Sequence, residues 1–221
     1  MRILELFSGT HSVGKVAEEL GYEVVSLDLK GADINTNILE WDYKSKYPVG
    51  HFDIIHASPP CDKFSAARRS NIGRPLKCFN GEIATREMMD KDMLENGLPI
   101  LRKTESIIDY FQPKFYIIEN PQTGKMKDFL QHRPHFDTDY CQWGFDYRKR
   151  TRFWTNIPGV ETKQCDRNTC PAIIRTENGK CRHKQEIAGK TSLTLKEKYR
   201  IPPLLVKYLF DKIKDAMLEE L

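Results

Sequence analysis

RILELFSGTHSVGKVAEELGYEVVSLD, residues 2–28, reads as strand, turn, helix and strand in succession. Arg2 to Phe7 is an apolar run of strand length. Ser8 to Ser12 is a polar turn. Val13, Val16, Ala17 and Leu20 then recur at helical spacing, and Gly21 stops that helix. Tyr22 to Leu27 is a second strand, with Asp28 at its end. Further along, Phe52 to Ala57 and Lys114 to Ile118 are two more strand-length runs. Glu105 to Phe111 and Thr85 to Leu94 have helical character. Strands alternating with helices predict an α/β domain with a mainly parallel sheet covered on both faces. Ligands of such sheets bind beyond the C-terminal strand ends. Asp28, Cys61 and Glu119 all fall at or just past such ends.

The 221 residues suffice for one well-buried domain with a small appendage. A formal charge of +4 hardly favours a polyanionic partner by itself, and 39% hydrophobic residues exclude general disorder. The apolar start is too short for a secretory signal or membrane span, so the chain is expected in a reducing compartment. There, the six cysteines do not form a disulfide frame. Residues 62–100 make a long polar segment, basic at its start through Lys63, Arg68, Arg69, Arg74 and Lys77. Leu204 to Leu221 reads as an amphipathic helix entered through Pro202-Pro203.

Two short segments carry the chemistry. Ser58-Pro59-Pro60-Cys61 places a thiol just past a strand, in a loop stiffened by two prolines. Ile118-Glu119-Asn120-Pro121 places a carboxyl group at the end of another. A thiolate that adds to a pyrimidine at C6, with a carboxyl group on the opposite edge, makes C5 nucleophilic. Taken singly, such a cysteine or glutamate is more often a spectator; together they point to chemistry. The glycine turn, Gly9-Thr10-His11-Ser12-Val13-Gly14, allows a ligand to approach backbone amides. It lacks one glycine of the dinucleotide fingerprint. Asp28 could accept from a ribose or simply cap the turn, and Asp42 could meet an adenine amino group. His11 could touch a ligand or be an ordinary turn residue. Cys78 and Cys141 are expected to be unreactive, Cys141 as a packed residue.

These segments, in this order, resemble the DNA cytosine-5 methyltransferase family, most closely its compact viral and phage members. Leu6-Phe7-Ser8-Gly9 is similar to the first motif and Ser58-Pro59-Pro60-Cys61 with Phe64-Ser65 to the nucleophile loop. Glu119-Asn120 is similar to the glutamate motif, although Pro121 stands where valine is usual. Arg148-Lys149-Arg150-Thr151-Arg152 resembles the paired-arginine motif, with Arg148 in place of glutamine. Tyr140-Cys141-Gln142-Trp143-Gly144-Phe145 precedes it, as in compact members. Leu193-Thr194, Glu197 and Tyr199-Arg200 resemble the ninth motif; Pro203 and its helix resemble a tenth motif without its Gly-Asn pair.

The resemblance implies a Rossmann-like domain dependent on S-adenosylmethionine, formed by 1–160 and 190–221. It implies that Cys61 is the nucleophile, Glu119 its partner carboxyl, and Arg150 and Arg152 the base- or phosphate-holding cations. Phe7, Ser8, Gly9, Thr10, His11, Ser12, Asp28, Leu29, Asp42, Ser58 and Pro59 would hold the methyl donor. The substrate would be duplex DNA with its cytosine turned out of the stack, bound by a monomer in the cytoplasm or nucleus of a cell or infected host, without a membrane. RNA, as in the transfer-RNA branch, is the rival substrate. A nucleic-acid-binding protein that has lost turnover is the rival class; Pro121 and the missing Gly-Asn pair favour it, and the retained Cys61 and Glu119 oppose it.

The segment 161–190 changes composition. Cys165-x4-Cys170-x10-Cys181-x-His183 offers three thiolates and an imidazole, a set that suits structural zinc. The alternative is three reduced cysteines in a loop. Arg167, Arg175, Lys180, Arg182, Lys184 and Lys190 could meet phosphates. By position this insertion takes the place of a target-recognition region, with the loop at 62–84 as another source of specificity.

Overall fold

The computed structural model describes residues 1–187 and 193–219. β1 (Arg2–Leu6) leads into α1 (Gly14–Glu19), and β2 (Glu23–Asp28) and β3 (Ile34–Asn35) follow. Next come α2 (Tyr43–Lys46), β4 (Ile54–Ala57), α3 (Ala66–Arg69) and α4 (Arg86–Asp92). A π-helical turn, Met93–Gly97, joins α4 to α5 (Leu98–Phe111). β5 (Phe115–Pro121), β6 (His135–Asp139) and β7 (Arg150–Thr155) complete the main sheet. β8 (Ile173–Arg175) and β9 (Cys181–His183) form a separate hairpin sheet; α6 (Leu195–Tyr199) and α7 (Pro203–Glu219) follow.

The main sheet has the order β3-β2-β1-β4-β5-β7-β6. β1 pairs in parallel with both β2 and β4, and β4 with β5, whereas β7 runs antiparallel between β5 and β6. The expected Rossmann-like α/β architecture is therefore present. Connections leave β1 in opposite directions along the sheet, which opens a crevice above the C-terminal ends of β1 and β4.

Alternation along the strands builds the two apolar layers. Ile3, Ile54, Ile117 and Phe153 pack with α1 and α7 through Val16, Leu205, Leu209 and Ile213. Leu4, Leu6, Ile55, Ile118 and Trp154 pack on the other face with Leu101, Ile107, Ile108 and Phe111 of α5. The last helix enters through Pro202-Pro203, as its sequence predicts. α5 begins earlier than the apolar spacing alone suggests, because Pro99 fits its first turn. The antiparallel β6–β7 pair was not foreseen, since short mixed strands lack a distinctive period. Among the described residues no helix is long and apolar enough to cross a membrane.

The basic start of the 62–100 segment is committed internally. Lys63 and Arg68 pair with Asp92, while Arg69 and Lys125 pair with Asp90. Arg74 and Lys77 stay exposed. In the insertion, Arg167, Arg175, Lys180, Arg182 and Lys184 are exposed, and Lys184 pairs with Asp146 at 3.2 Å. Lys190 and the boundary expected there lie outside the described residues.

Candidate active site

The turn after β1 is held in an unusual shape. Phe7, Gly9 and His11 all take left-handed backbone angles, with φ of 59°, 46° and 53°. Only glycine adopts these without strain, so the surrounding bonds must enforce them. Ser8 donates its N–H to Leu27 O (3.2 Å). Gly9 and Leu29 donate theirs to the two Asp28 carboxylate oxygens (2.9 and 2.6 Å). Asp28 thus caps the turn and also borders the cavity above it. Below, Glu5 accepts from Val13 N–H (3.1 Å), which ties β1 to the start of α1. A Cβ at position 14 would lie 2.6 Å from the Glu5 carboxylate, so Gly14 is required by that buried group.

The second loop leaves β4 through Ser58, whose N–H donates to Leu6 O (3.2 Å). The buried Asn120 side chain donates to Pro59 O (2.8 Å) and fastens this loop to β5. Phe64 and Ser65 donate back to Cys61 O at 3.1 and 2.8 Å. Gly124 lets the turn after β5 come close, because a Cβ there would meet Phe64 O at 3.1 Å and Pro121 O at 3.2 Å. Cys61 is thereby presented at the cavity wall.

Glu119, 6% exposed, comes from β5. Its Oε1 accepts from the Tyr140 hydroxyl (3.1 Å) and from Lys149 Nζ (3.5 Å). Lys149 also donates to Lys198 O (3.3 Å) and lies 5.0 Å above the Tyr140 ring. Burial pushes the Cys61 thiol up, the Glu119 charge adds to this, and Lys149 opposes both. Lys149 is the one Lys or Arg lining this cavity among the described residues.

A single cavity of about 620 Å³ connects these features, a size suited to a small organic ligand. Phe7, Ser8, Gly9, Thr10, Ser12, Asp28, Leu29, Ser58 and Pro59 line one part; Cys61, Glu119, Asn120 and Lys149 line another. Thr36, Asn37, Ile38 and His56 also border it and had no motif to mark them, as does Tyr199 of the ninth-motif stretch. His56 is buried, and desolvation takes its pKa down to about 3, so its ring is neutral. Neither its ring nitrogens nor the buried Ser8 Oγ has a hydrogen-bond partner among the described residues. Polar groups left unsatisfied on a cavity wall fit a site that takes a polar ligand.

Four expected site residues lie elsewhere. Asp42 caps α2, accepting from Ser45 N–H (3.4 Å), and does not border the cavity. His11 turns toward Gly31 O (2.8 Å). Arg150 pairs with Asp139 and Arg152 with Asp137, each at 2.8 Å or less through one guanidinium nitrogen. The cause is register. Arg152 stands opposite Asn120, and Glu119 stands opposite Phe153. Directly paired residues share a face, so the two arginines point away from the face of Glu119. Lys149, the residue just before β7 and in step with Thr151 and Phe153, falls on the Glu119 side. The signal that finds it is the alternation of β7 read against the register of β5, not the arginine spacing.

The insertion differs from its expected ligand set. Cys141, Cys165, Cys170 and His183 converge, with ligand atoms within 4.8 Å of one another. Cys141 is buried, as expected, but it faces this group. Cys181 is not part of it. It pairs with Arg175, two residues along the hairpin from the Ile173–His183 pair, a displacement of roughly 6.6 Å.

No protein-family model matches the chain. A curated relative, the "Probable DNA (cytosine-5)-methyltransferase" of Frog virus 3 (isolate Goorha), is 43% identical over 221 residues, covering 96% of this chain and 99% of its own. Among solved structures, a triple mutant of Spodoptera frugiperda DNMT2 is 19% identical (TM-score 0.46), and an Entamoeba histolytica methyltransferase is 12% identical (TM-score 0.49). Each covers 75% of this chain, which spans 55% and 57% of their respective lengths.

Proposed function

The chain belongs to the DNA (cytosine-5)-methyltransferase family, and on that premise we propose that it methylates C5 of cytosine in DNA through a covalent adduct of Cys61 at C6. The observation that carries this reading is the shared cavity: Cys61, Glu119 and Lys149 border the same space as the β1 turn and Asp28. S-adenosylmethionine, when bound, supplies an electrophilic methyl group. Ser8, Asp28 and Leu29, with Thr36, Asn37 and Ile38, form its wall, and the unsatisfied Ser8 hydroxyl is a polar group such a ligand would meet.

The residues divide the work as follows. Cys61 sulfur, as thiolate, bonds to C6 of the base. Glu119 holds N3 and the exocyclic amino group, drawing charge from the ring so that the electron pair gathers at C5. Once C5 carries the methyl group, its proton passes to water, the C5–H electron pair re-forms the 5,6 double bond, and the C6–S bond breaks to release Cys61 as thiolate. Tyr140 and Lys149 fix the Glu119 carboxyl group through its Oε1. Lys149 also supplies positive potential toward a thiol that burial and Glu119 keep protonated. The base has to leave the helical stack to reach Cys61. Residues 1–160 and 190–221 serve as the catalytic unit, and 161–190 holds the place of a target-recognition region.

The test is transfer of labelled methyl from S-adenosylmethionine to duplex DNA, single-stranded DNA and transfer RNA in parallel, with sequencing of the product. The expected result is 5-methylcytosine in duplex DNA, absent with Cys61→Ala. Methylation confined to transfer RNA, or no product on any of the three, contradicts the proposal.

A further inference from the structure

We propose that Cys141, Cys165, Cys170 and His183 bind one zinc ion, which fastens the insertion to the edge of the main sheet. The inference is independent of the methyl-transfer reading. Three thiolates and one imidazole are a tetrahedral zinc set. With Zn–S near 2.3 Å and Zn–N near 2.0–2.1 Å, the edges of such a tetrahedron are about 3.6 Å between sulfur and nitrogen and about 3.8 Å between sulfurs. Cys165 Sγ lies 3.4 Å and Cys170 Sγ 3.9 Å from His183 Nε2. All four ligand atoms stay within 4.8 Å of one another. The spacing already suits one ion at the centre.

The surroundings supply a second argument. Three thiolates and a zinc dication leave one net negative charge. Arg148 is close to that charge: it donates to Asp139 (3.2 Å), the residue that also holds Cys165 N–H. Asp139, fully buried, accepts from Cys165 N–H (2.8 Å), so the first insertion cysteine is held from the sheet side. Other ties of the insertion to the main domain are polar: Asp139 N–H donates to Lys163 O (2.9 Å), Gln185 N–H donates to Asp146 O (3.0 Å), and Lys184 pairs with Asp146 (3.2 Å). Among the described residues the insertion's apolar cluster has Cys170 and Ala172 as buried members, with Cys141 from the main domain, and its hairpin strands are three residues each. A two-stranded hairpin of that length is not stable alone in water. A metal bridging Cys141, in the turn that follows β6, to the hairpin would add a strong anchor to these polar ties.

The decisive contrast is between two cysteines. The full chain is purified without chelator or metal-affinity steps, and zinc per chain is measured by inductively coupled plasma mass spectrometry. The expected result is one zinc per chain in the wild type and in Cys181→Ser, with metal lost in Cys141→Ser. Because Cys141 is packed, His183→Gln provides a second variant on the hairpin, also expected to lose the metal. Cobalt substituted into the wild type and Cys181→Ser should give the same tetrahedral ligand-field and thiolate charge-transfer bands. A wild-type ratio near zero, loss of metal in Cys181→Ser, or full occupancy in folded Cys141→Ser would overturn the assignment. None of these readouts depends on turnover, so failure here leaves the methyl-transfer proposal where it stood.

Discussion

The cavity at the strand ends and the insertion beside it are held in different ways. The cavity stands on two apolar layers, with Leu4, Ile55 and Ile118 on one face of the sheet and Ile3, Ile54 and Ile117 on the other. Each wall residue inherits its position from a strand beneath it. Among the described residues the insertion contributes two buried members to its cluster, Cys170 and Ala172, and is tied to Cys141, Asp139 and Asp146 of the main domain. In the first region, burial fixes geometry and polar residues are free for chemistry. In the second, polar and sulfur side chains supply the cohesion that apolar surface does not.

The largest expected effect falls on the cavity. Glu119→Gln keeps the shape but loses the carboxyl chemistry, and methyl transfer should fall roughly 10²- to 10⁴-fold, with folding unchanged by circular dichroism. A small effect would mean that geometry alone accounts for that wall. Metal removal tests the other side. After chelation, limited proteolysis within 161–187 should accelerate by about one to two orders of magnitude while the main sheet stays resistant, as local opening becomes easier there alone. Uniform cleavage would erase the distinction between the regions.

Lys149→Met is expected to act on both Cys61 and Glu119. The Cys61 thiol already lies above its ordinary pKa through burial and then through Glu119, so its alkylation should rise with pH beyond the range of a free cysteine. Removing the Lys149 charge should move that profile further up and slow alkylation near neutral pH about tenfold, the equivalent of one pKa unit. Arg152→Gln is the smallest. It should cost roughly 1–3 kcal/mol in thermal unfolding by leaving Asp137 short of its partner, with affinity for S-adenosylmethionine unchanged. A collapse of donor binding in that variant would place the arginine in the site after all.

The same contrast explains how much was legible from the residues alone. The places of the β1 turn, Cys61 and Glu119 were readable because apolar runs mark the strands and these residues stand at their ends. Lys149 was not, since choosing among Arg148, Lys149, Arg150 and Arg152 requires the register of β7 on β5, which turns on a single residue. Asp42 stands away from the cavity for a related reason: a short acidic side chain before a helix caps it as readily as it meets a ligand. Cys141 was hidden by distance along the chain. Local spacing favoured Cys181, although the hairpin places it two pairs from His183 and a residue 24 positions before Cys165 completes the group.

The central claim is that sulfur at position 61 bonds to a cytosine gripped by Glu119, and a duplex carrying 5-fluorocytosine tests it most directly. With S-adenosylmethionine present, fluorine at C5 blocks the final elimination. The account predicts a denaturation-resistant protein–DNA conjugate whose peptide map places the base on Cys61, and none with Cys61→Ala. Methylation of the unmodified duplex with no such conjugate, or a conjugate that survives Cys61→Ala, would contradict it.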